Sequence, residues 1–384
     1  MEKKLKLAFI VPGLFYPSGM ERVLTAKVNH FVTHFGYDIH IFLTDGKDLK
    51  PYYPLDERIK LHHLDINYDG IFVLPFFKRV FSYWKKQRLF KKRLEQQLSA
   101  IRPDITVSLL RRDVNFLNDL KDGSLKVGEL HFNKLIYRQF TDRRFPLFMQ
   151  KAISNLWQRQ LHENLKKLAA FVVLTYEDAG YWKGLDNISV IHNPLSFYPD
   201  KAAPLENKQV ISVGRMTHQK GFDLLIQAWK LVAGKHPDWI LRIYGGGEKE
   251  SYQSMIDTFG ISKNCFLEEG TSAIGEKYYE SSIFVLSSRY EGFPMVLGET
   301  MAYGVPPVSF TCPCGPRDII VHERNGLLVE NGHIQQLADN ICYLIENERE
   351  RKLMGRNARN DVQKFDIEHI ALQWRNLFES LKQI

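Results

Sequence analysis

The sequence predicts an α/β protein made of two Rossmann-like, doubly wound domains. Three observations carry this. The 384 residues exceed what one hydrophobic core comfortably serves, so two domains of roughly 150–200 residues are the natural division. Short, β-rich apolar runs alternate with amphipathic helical patterns in both halves. The runs are apolar throughout, as in parallel strands covered by helices on both faces.

In the first half the expected strands are Leu7–Val11, Ile39–Leu43, Ile105–Leu109, Val127–Leu130, Phe171–Leu174 and Ser189–Ile191. In the second they are Val210–Val213, Ile240–Ile243, Cys265–Leu267, Ile283–Leu286, Pro307–Phe310 and Leu327–Val329. The boundary falls near His192-Asn193-Pro194 and the Pro-, Lys-, Asp- and Asn-containing segment up to Lys208. Residues 1–193 then form one domain and 194–366 the other. A last amphipathic helix, 367–384, places Ile370, Trp374, Leu377 and Leu381 on one stripe.

Composition excludes several classes. With 44% hydrophobic and 25% charged residues the chain is an ordinary globular protein. No apolar stretch approaches the ~18 residues of a membrane span. The N-terminus resembles a secretory leader, but its apolar run is ended by Pro12 and Gly13 and no cleavage site follows. It reads as a buried first strand, and the expected location is the cytoplasm. Cys265, Cys312, Cys314 and Cys342 make no disulfide framework. Cys312 and Cys314 are too close for a usual zinc knuckle and have no histidine pair, so a structural role is expected.

The net charge of +8 is uneven: residues 1–195 carry 31 Lys+Arg against 20 Asp+Glu. The first half therefore suits an anionic surface or acceptor, without pointing to nucleic acid.

Ligands of open α/β sheets bind beyond the carboxyl ends of the strands, so the strand-to-helix loops are the segments to weigh. After Val210–Val213 comes Gly214-Arg215-Met216-Thr217-His218-Gln219-Lys220-Gly221. Its planar guanidinium and point-charge ammonium, five residues apart, suit a diphosphate; a solvated basic loop is the alternative. A helix follows with Leu224, Leu225, Ala228 and Leu231 as its apolar face. After Ile240–Ile243, the run Tyr244-Gly245-Gly246-Gly247-Glu248 implies close backbone approach, to a ligand or to the next helix.

After Ile283–Leu286 comes Ser287 to Glu299, with a turn at Gly292 and Pro294 and a helix start at Met295. The amides of Met295, Val296 and Leu297 are candidate phosphate donors at that N-terminus. Glu291 and Glu299 lie on either side of the helix start, so one is placed for sugar hydroxyls and the other for ribose hydroxyls. The plain alternatives are a helix-start charge and an ordinary helix glutamate.

In the first half, Val11-Pro12-Gly13 leads through Ser18-Gly19 into a helix, and Gly19 is a candidate for close approach to phosphate. The loop lacks G-x-G-x-x-G, which argues against a nicotinamide enzyme. His131 follows the strand Val127–Leu130 at its carboxyl end. Phe72 to Leu94 contains eight Lys/Arg, seven aromatics and no acid. That composition suits an interfacial helix on an anionic membrane, or else an amphipathic surface helix.

Together these segments resemble glycosyltransferase family 4, the retaining enzymes of the GT-B fold, over nearly the whole chain. Glu291 and Glu299 match its E-x7-E motif, Gly214, Arg215 and Lys220 its GR-x(4)-KG loop, and Gly245 to Glu248 its G-x-G-E element. The resemblance implies two Rossmann-like domains facing a central cleft, with the last helix packing back on the N-terminal, acceptor-binding domain. It implies catalytic roles for Arg215, Lys220, Glu291 and His131. Arg215 and Lys220 would neutralise the donor diphosphate, Glu291 would contact the donor sugar, and His131 would lie beside it. Gly19, Gly214, Gly246, Glu248, Met295, Val296, Leu297 and Glu299 would bind the donor. Ser18-Gly19 departs from the Gly-Gly often found in such families.

No cofactor and no metal are expected, since no Asp-x-Asp lies in a strand-end loop and the cations and amides can offset the leaving charge. Phe310 to Ile320 resembles the version in polysaccharide-assembly members that use UDP-sugars, so a UDP-sugar is favoured and GDP-mannose is second. The expected acceptor is a lipid-linked saccharide at the inner face of a bacterial membrane, approached through residues 72–94. The rivals are a UDP-sugar 2-epimerase of the same architecture and a non-catalytic nucleotide-sugar-binding module.

Overall fold

The computed structural model describes residues 4–71, 73–140, 145–195 and 197–382. These form two compact units. The first holds the described residues of Met1–Leu174, Ala179–Pro194 and Ile367–Ile384; the second holds those of Thr175–Asp178 and Leu195–Asp366.

The strands of the first unit are β1 (Lys6–Val11), β2 (Asp38–Leu43), β3 (Lys60–His63), β4 (Ile105–Ser108), β5 (Leu125–Leu130), β6 (Ala170–Val173) and β7 (Ile188–Val190). They form one parallel sheet in the order β3-β2-β1-β4-β5-β6-β7. Those of the second are β8 (Gln209–Val213), β9 (Ile240–Tyr244), β10 (Cys265–Glu268), β11 (Ile283–Leu286), β12 (Pro307–Phe310) and β13 (Leu327–Val329). These are also all parallel, in the order β10-β9-β8-β11-β12-β13.

The α-helices in chain order are α1 (Gly19–His34), α2 (Phe76–Ile101), α3 (Leu147–Lys166), α4 (Tyr176–Tyr181), α5 (Phe222–Lys235) and α6 (Glu250–Thr258). They continue with α7 (Ile274–Tyr279), α8 (Met295–Ala302), α9 (Pro316–Ile319), α10 (Ile334–Glu346), α11 (Glu348–Asp361) and α12 (Ile367–Lys382). No helix among the described residues is long and apolar enough to cross a membrane.

Each apolar run identified in the sequence is a strand, with ends displaced by no more than a residue or two. The strand missed is β3. Lys60-Leu61-His62-His63 has one aliphatic residue and lies at the sheet edge, where only β2 pairs with it, so no apolar run marked it.

Strand side chains alternate between two cores, as the pleat requires. In β1, Leu7, Phe9 and Val11 join Leu24, Val28 and Phe31 of α1, whereas Ala8 and Ile10 face Phe90, Leu94 and Leu98 of α2. The last helix belongs to the first of these cores. Its buried stripe is Ile370, Ala371, Trp374 and Phe378, while Leu377 and Leu381 are only partly buried. The expected stripe is thus rotated by about one position, because Phe378 fills the space between Trp374 and Phe31.

In the second unit α5 packs on α10 over one sheet face. The apolar face of α5 is Phe222, Leu225, Ile226, Ala228, Trp229 and Val232. The expected Leu231 is instead exposed and Leu224 sits at the margin, since Trp229 centres the helix on the sheet.

The basic aromatic stretch lies mostly in α2; its first residue, Phe72, is outside the described residues. Phe90 and Leu94 are buried, but Val80, Phe81 and Trp84 are more than half exposed. Not all of its cations face outward. Arg93 donates to the carbonyls of Leu64 and Asp65 at 2.6 and 2.8 Å, and Lys86 to that of Asn67 at 2.8 Å.

Phe378→Ala removes a fully buried ring from the α1–α12 contact and is expected to cost about 3–5 kcal/mol. Urea unfolding followed by circular dichroism tests this, and an unchanged midpoint would show that α12 is not part of the core.

Candidate functional site

The second sheet reverses its sequence order between β8 and β11. Such a reversal is the point at which open α/β sheets bind ligands, beyond the strands' carboxyl ends. The loop Gly214–Gly221 follows β8 and the loop Ser287–Pro294 follows β11, so the sheet brings together two of the segments singled out in the sequence.

Hydrogen bonds join these loops. The Arg289 amide donates to Gln219 O (2.8 Å), Ser287 Oγ to Lys220 O (2.9 Å) and Gln219 Nε2 to Tyr290 O (3.0 Å). Gly221 has φ +62°, and a Cβ there would lie 2.1 Å from Ser287 O. Only glycine permits both that turn and that approach. Arg289 grips Asp223 through both guanidinium nitrogens, at 2.8 and 2.6 Å. That fork holds the Asp223 carboxyl below its usual range.

Within this frame Lys220 Nζ donates to Glu291 Oε1 at 2.7 Å, and Ser288 Oγ donates to the same oxygen at 2.6 Å. Glu291 is 6% exposed and is anchored by its backbone too. Its amide donates to Pro313 O (2.6 Å) and its carbonyl accepts from the Cys314 amide (3.1 Å). The turn after β12 therefore supports the carboxylate. Cys312 and Cys314 are fully buried beside it, and burial raises both thiols. Arg215 differs from Lys220. It is exposed and makes no ion pair among the described residues, so its guanidinium is available to an incoming anion.

The triple glycine lies against the same loop. The Gly214 amide donates to Tyr244 O (3.0 Å) and the Met216 amide to Gly246 O (2.8 Å). A Cβ on Gly245 would stand 1.8 Å from Gly214 O. The close approach read from the sequence is therefore to the neighbouring loop, and Gly245 is its contact point. Gly246 and Glu248 are exposed, and a Cβ on Gly246 would meet nothing within 4 Å.

At α8 one expectation changes. The Leu297 amide donates to Pro294 O at 3.0 Å, so it is used inside the first turn and is not an open anion donor. Met295 and Val296 sit at the helix mouth. Glu299 is 5% exposed and accepts from Tyr278 of α7 at 3.0 Å, whereas Glu291 is bound by Lys220 and Ser288. The named hydrogen bonds of the two carboxylates go to different partners.

In the first unit Ser18 is the N-cap of α1, its Oγ accepting from the Glu21 amide at 3.4 Å. Ser18 thus completes the helix start. Gly19 is exposed in open space, with nothing within 4 Å of where a Cβ would stand. Burial raises Glu21 to about 7, opposed by the Tyr16 amide, which donates to it at 2.7 Å. His131 lies one residue past β5, its Nε2 3.1 Å from Glu129 Oε1. Glu129 also accepts from Lys27. Neither partner was singled out in the sequence. The signals were a lysine inside the apolar stripe of α1 and a glutamate within a buried strand.

Two alanine substitutions separate loop contact from open space. Gly245→Ala is expected to lower stability by about 1–3 kcal/mol, whereas Gly246→Ala leaves the melting temperature unchanged. Equal melting temperatures for the two variants would contradict the loop packing.

Residues 197–361 match the family model described as glycosyl transferases group 1. A Haemophilus influenzae protein named uncharacterized glycosyltransferase is 28% identical over 97% of this chain and 99% of its own length. The amylovoran biosynthesis glycosyltransferase AmsD of Erwinia amylovora is 25% identical over the same shares of the two chains, 97% and 99%. Among solved structures, a point mutant of Staphylococcus aureus TarM, in complex with fondaparinux, α-GlcNAc-glycerol and UDP, superposes with a TM-score of 0.76. It covers 97% of this chain and 99% of its own at 19% identity, a likeness of fold. Residues 197–361 thus resemble a group 1 glycosyl transferase domain, in a chain built from two parallel-sheet Rossmann-like units whose solved structural neighbours are glycosyltransferases.

Proposed function

We propose that this chain is a retaining, metal-independent glycosyltransferase of bacterial surface polysaccharide synthesis. It moves a hexose or N-acetylhexosamine from a nucleotide sugar to a hydroxyl of a lipid-linked saccharide. A UDP-sugar is the favoured donor and GDP-mannose the second. The observation that carries the reading is the Lys220–Glu291 pair at the switch point of the second sheet, inside the group 1 domain. The names of AmsD and of the UDP complex of TarM support the process and the donor.

In this reading Arg215 and Lys220 take the diphosphate, with the Met295 and Val296 amides at the positive end of α8. Glu291, held by Ser288 and by the backbone of the turn after β12, accepts from hydroxyls of the donor sugar. Glu299 accepts from the ribose, and Gly19, Gly214, Gly246 and Glu248 border the donor. His131 contacts the transferred sugar. The bond from the anomeric carbon to the diphosphate oxygen breaks as Arg215 and Lys220 offset the leaving charge. The acceptor hydroxyl attacks from the same face, and its proton passes to the departing phosphate oxygen.

A thermal-shift panel of UDP-, GDP- and ADP-sugars tests the donor class, since a ligand that binds only the folded state raises its melting temperature. UDP-sugars are expected to give the largest shift, and no shift with any of them overturns the reading. Lys220→Ala is expected to lower kcat by roughly 10²–10³. Near-normal transfer by this variant would remove the leaving-group role.

We also propose that the first unit meets an anionic membrane through α2. Val80, Phe81 and Trp84 are exposed beside Lys78, Lys85, Arg88 and Lys92. Cosedimentation with phosphatidylglycerol vesicles is expected to exceed that with phosphatidylcholine, to weaken with salt and to be lost in Phe81→Glu/Trp84→Glu. Equal sedimentation of the double variant would overturn this contact.

A further inference from the structure

A second cation–carboxylate pair lies in the first unit and has no part in the donor site. Lys27 of α1 donates to Glu129 of β5, and both side chains are 1% exposed. The Lys27 ammonium also lies 4.5 Å from the centroid of the Trp374 ring in α12. Three elements of the unit thus meet around one buried charge pair. A buried ion pair seldom stabilises a fold better than apolar side chains of the same size, so its presence calls for another reason.

The bonding of Glu129 supplies one. Its Oε1 accepts from Lys27 and lies 3.1 Å from the His131 Nε2. Its Oε2 is buried with no hydrogen-bond partner among the described residues. The contact to Nε2 is at ion-pair distance but is not aligned as a hydrogen bond, because Nε2 is likewise buried without one. Successive residues of a strand face opposite sides of the sheet, so Glu129 and His131 share a side, with His131 just beyond the carboxyl end of β5. A carboxylate beside Nε2 selects the tautomer protonated there and leaves Nδ1 as the acceptor.

We propose that Lys27 and Glu129 are positioning residues for His131: the Glu129 carboxylate keeps the imidazole proton on Nε2, Lys27 keeps that carboxylate ionised, and Nδ1 is presented as an acceptor to a hydroxyl of the transferred sugar. The charge state of Glu129 agrees. Burial alone raises its carboxyl, but Lys27 and His131 outweigh it and hold it at about 2, while burial lowers the Lys27 ammonium against the pull of Glu129. The sugar contact rests on the proposed glycosyl transfer, whereas the tautomer does not.

The test is imidazole ¹⁵N NMR on the full chain, with the His131 resonances assigned by their loss in His131→Phe. The wild type is expected to show His131 as the Nε2–H tautomer. The variant K27M/E129L replaces the pair with apolar side chains of similar size, and Glu129→Gln serves if that variant does not fold. Either is expected to give mixed tautomers and to lower kcat about tenfold or more with little change in KM. Added to His131→Ala, it is expected to cause no further loss. An unchanged tautomer, or rate losses that multiply with those of His131→Ala, overturns the positioning role. A wild type that shows the tautomer but transfers no sugar leaves the positioning intact and overturns the proposed function instead.

Discussion

The strand-end loops of the second unit are organised around one ion pair, Lys220 to Glu291 at 2.7 Å. Neither side chain could hold the other from an unrestrained loop. The loop after β8 is bonded to the loop after β11, and Glu291 is bonded through its backbone to the turn after β12. Three strand-to-helix connections thus act as one body. The body is possible because glycines stand where backbone meets backbone: a side chain at Gly245 would strike Gly214 O, and one at Gly221 would strike Ser287 O. The glycines let the loops close, and the closed loops aim the charges.

This frame also sorts the cations. Arg289 is committed to Asp223 and Lys220 to Glu291, while Arg215 is exposed. A guanidinium at the surface of a rigid loop presents its charge to solvent. The first unit follows a related plan. Lys27 and Glu129 lie in the interior, where an isolated charge is costly, and are tolerated as a mutually compensating pair. Glu129 of that pair stands two residues before His131, near the carboxyl end of β5, with its Oε1 3.1 Å from the His131 Nε2.

Much of the fold was legible because buried parallel strands must be apolar on both faces, and that leaves a local mark. The strands and the loops after them could be read in order. Lys60–His63 escaped because an edge strand needs no continuous apolar run. The stripes of α5 and α12 were read with the right period but the wrong centre. Trp229 and Phe378 decide which way those helices face, and a large ring acts through what it packs against.

By itself the sequence determined the two Rossmann-like domains, the loops that carry Arg215, Lys220, Glu291 and Glu299, and the family they resemble. All of these depend on neighbours along the chain. Only the tertiary structure decided that Lys220 bonds Glu291, that Glu299 bonds Tyr278, that the Leu297 amide is already used, and that Gly245 serves a neighbouring loop. It also revealed Lys27 and Glu129 behind His131, 102 residues apart in the chain. The physical reason is range: strand and turn preferences act over a few residues, whereas buried charges find their partners only after the sheet has brought distant segments within a bond length of each other.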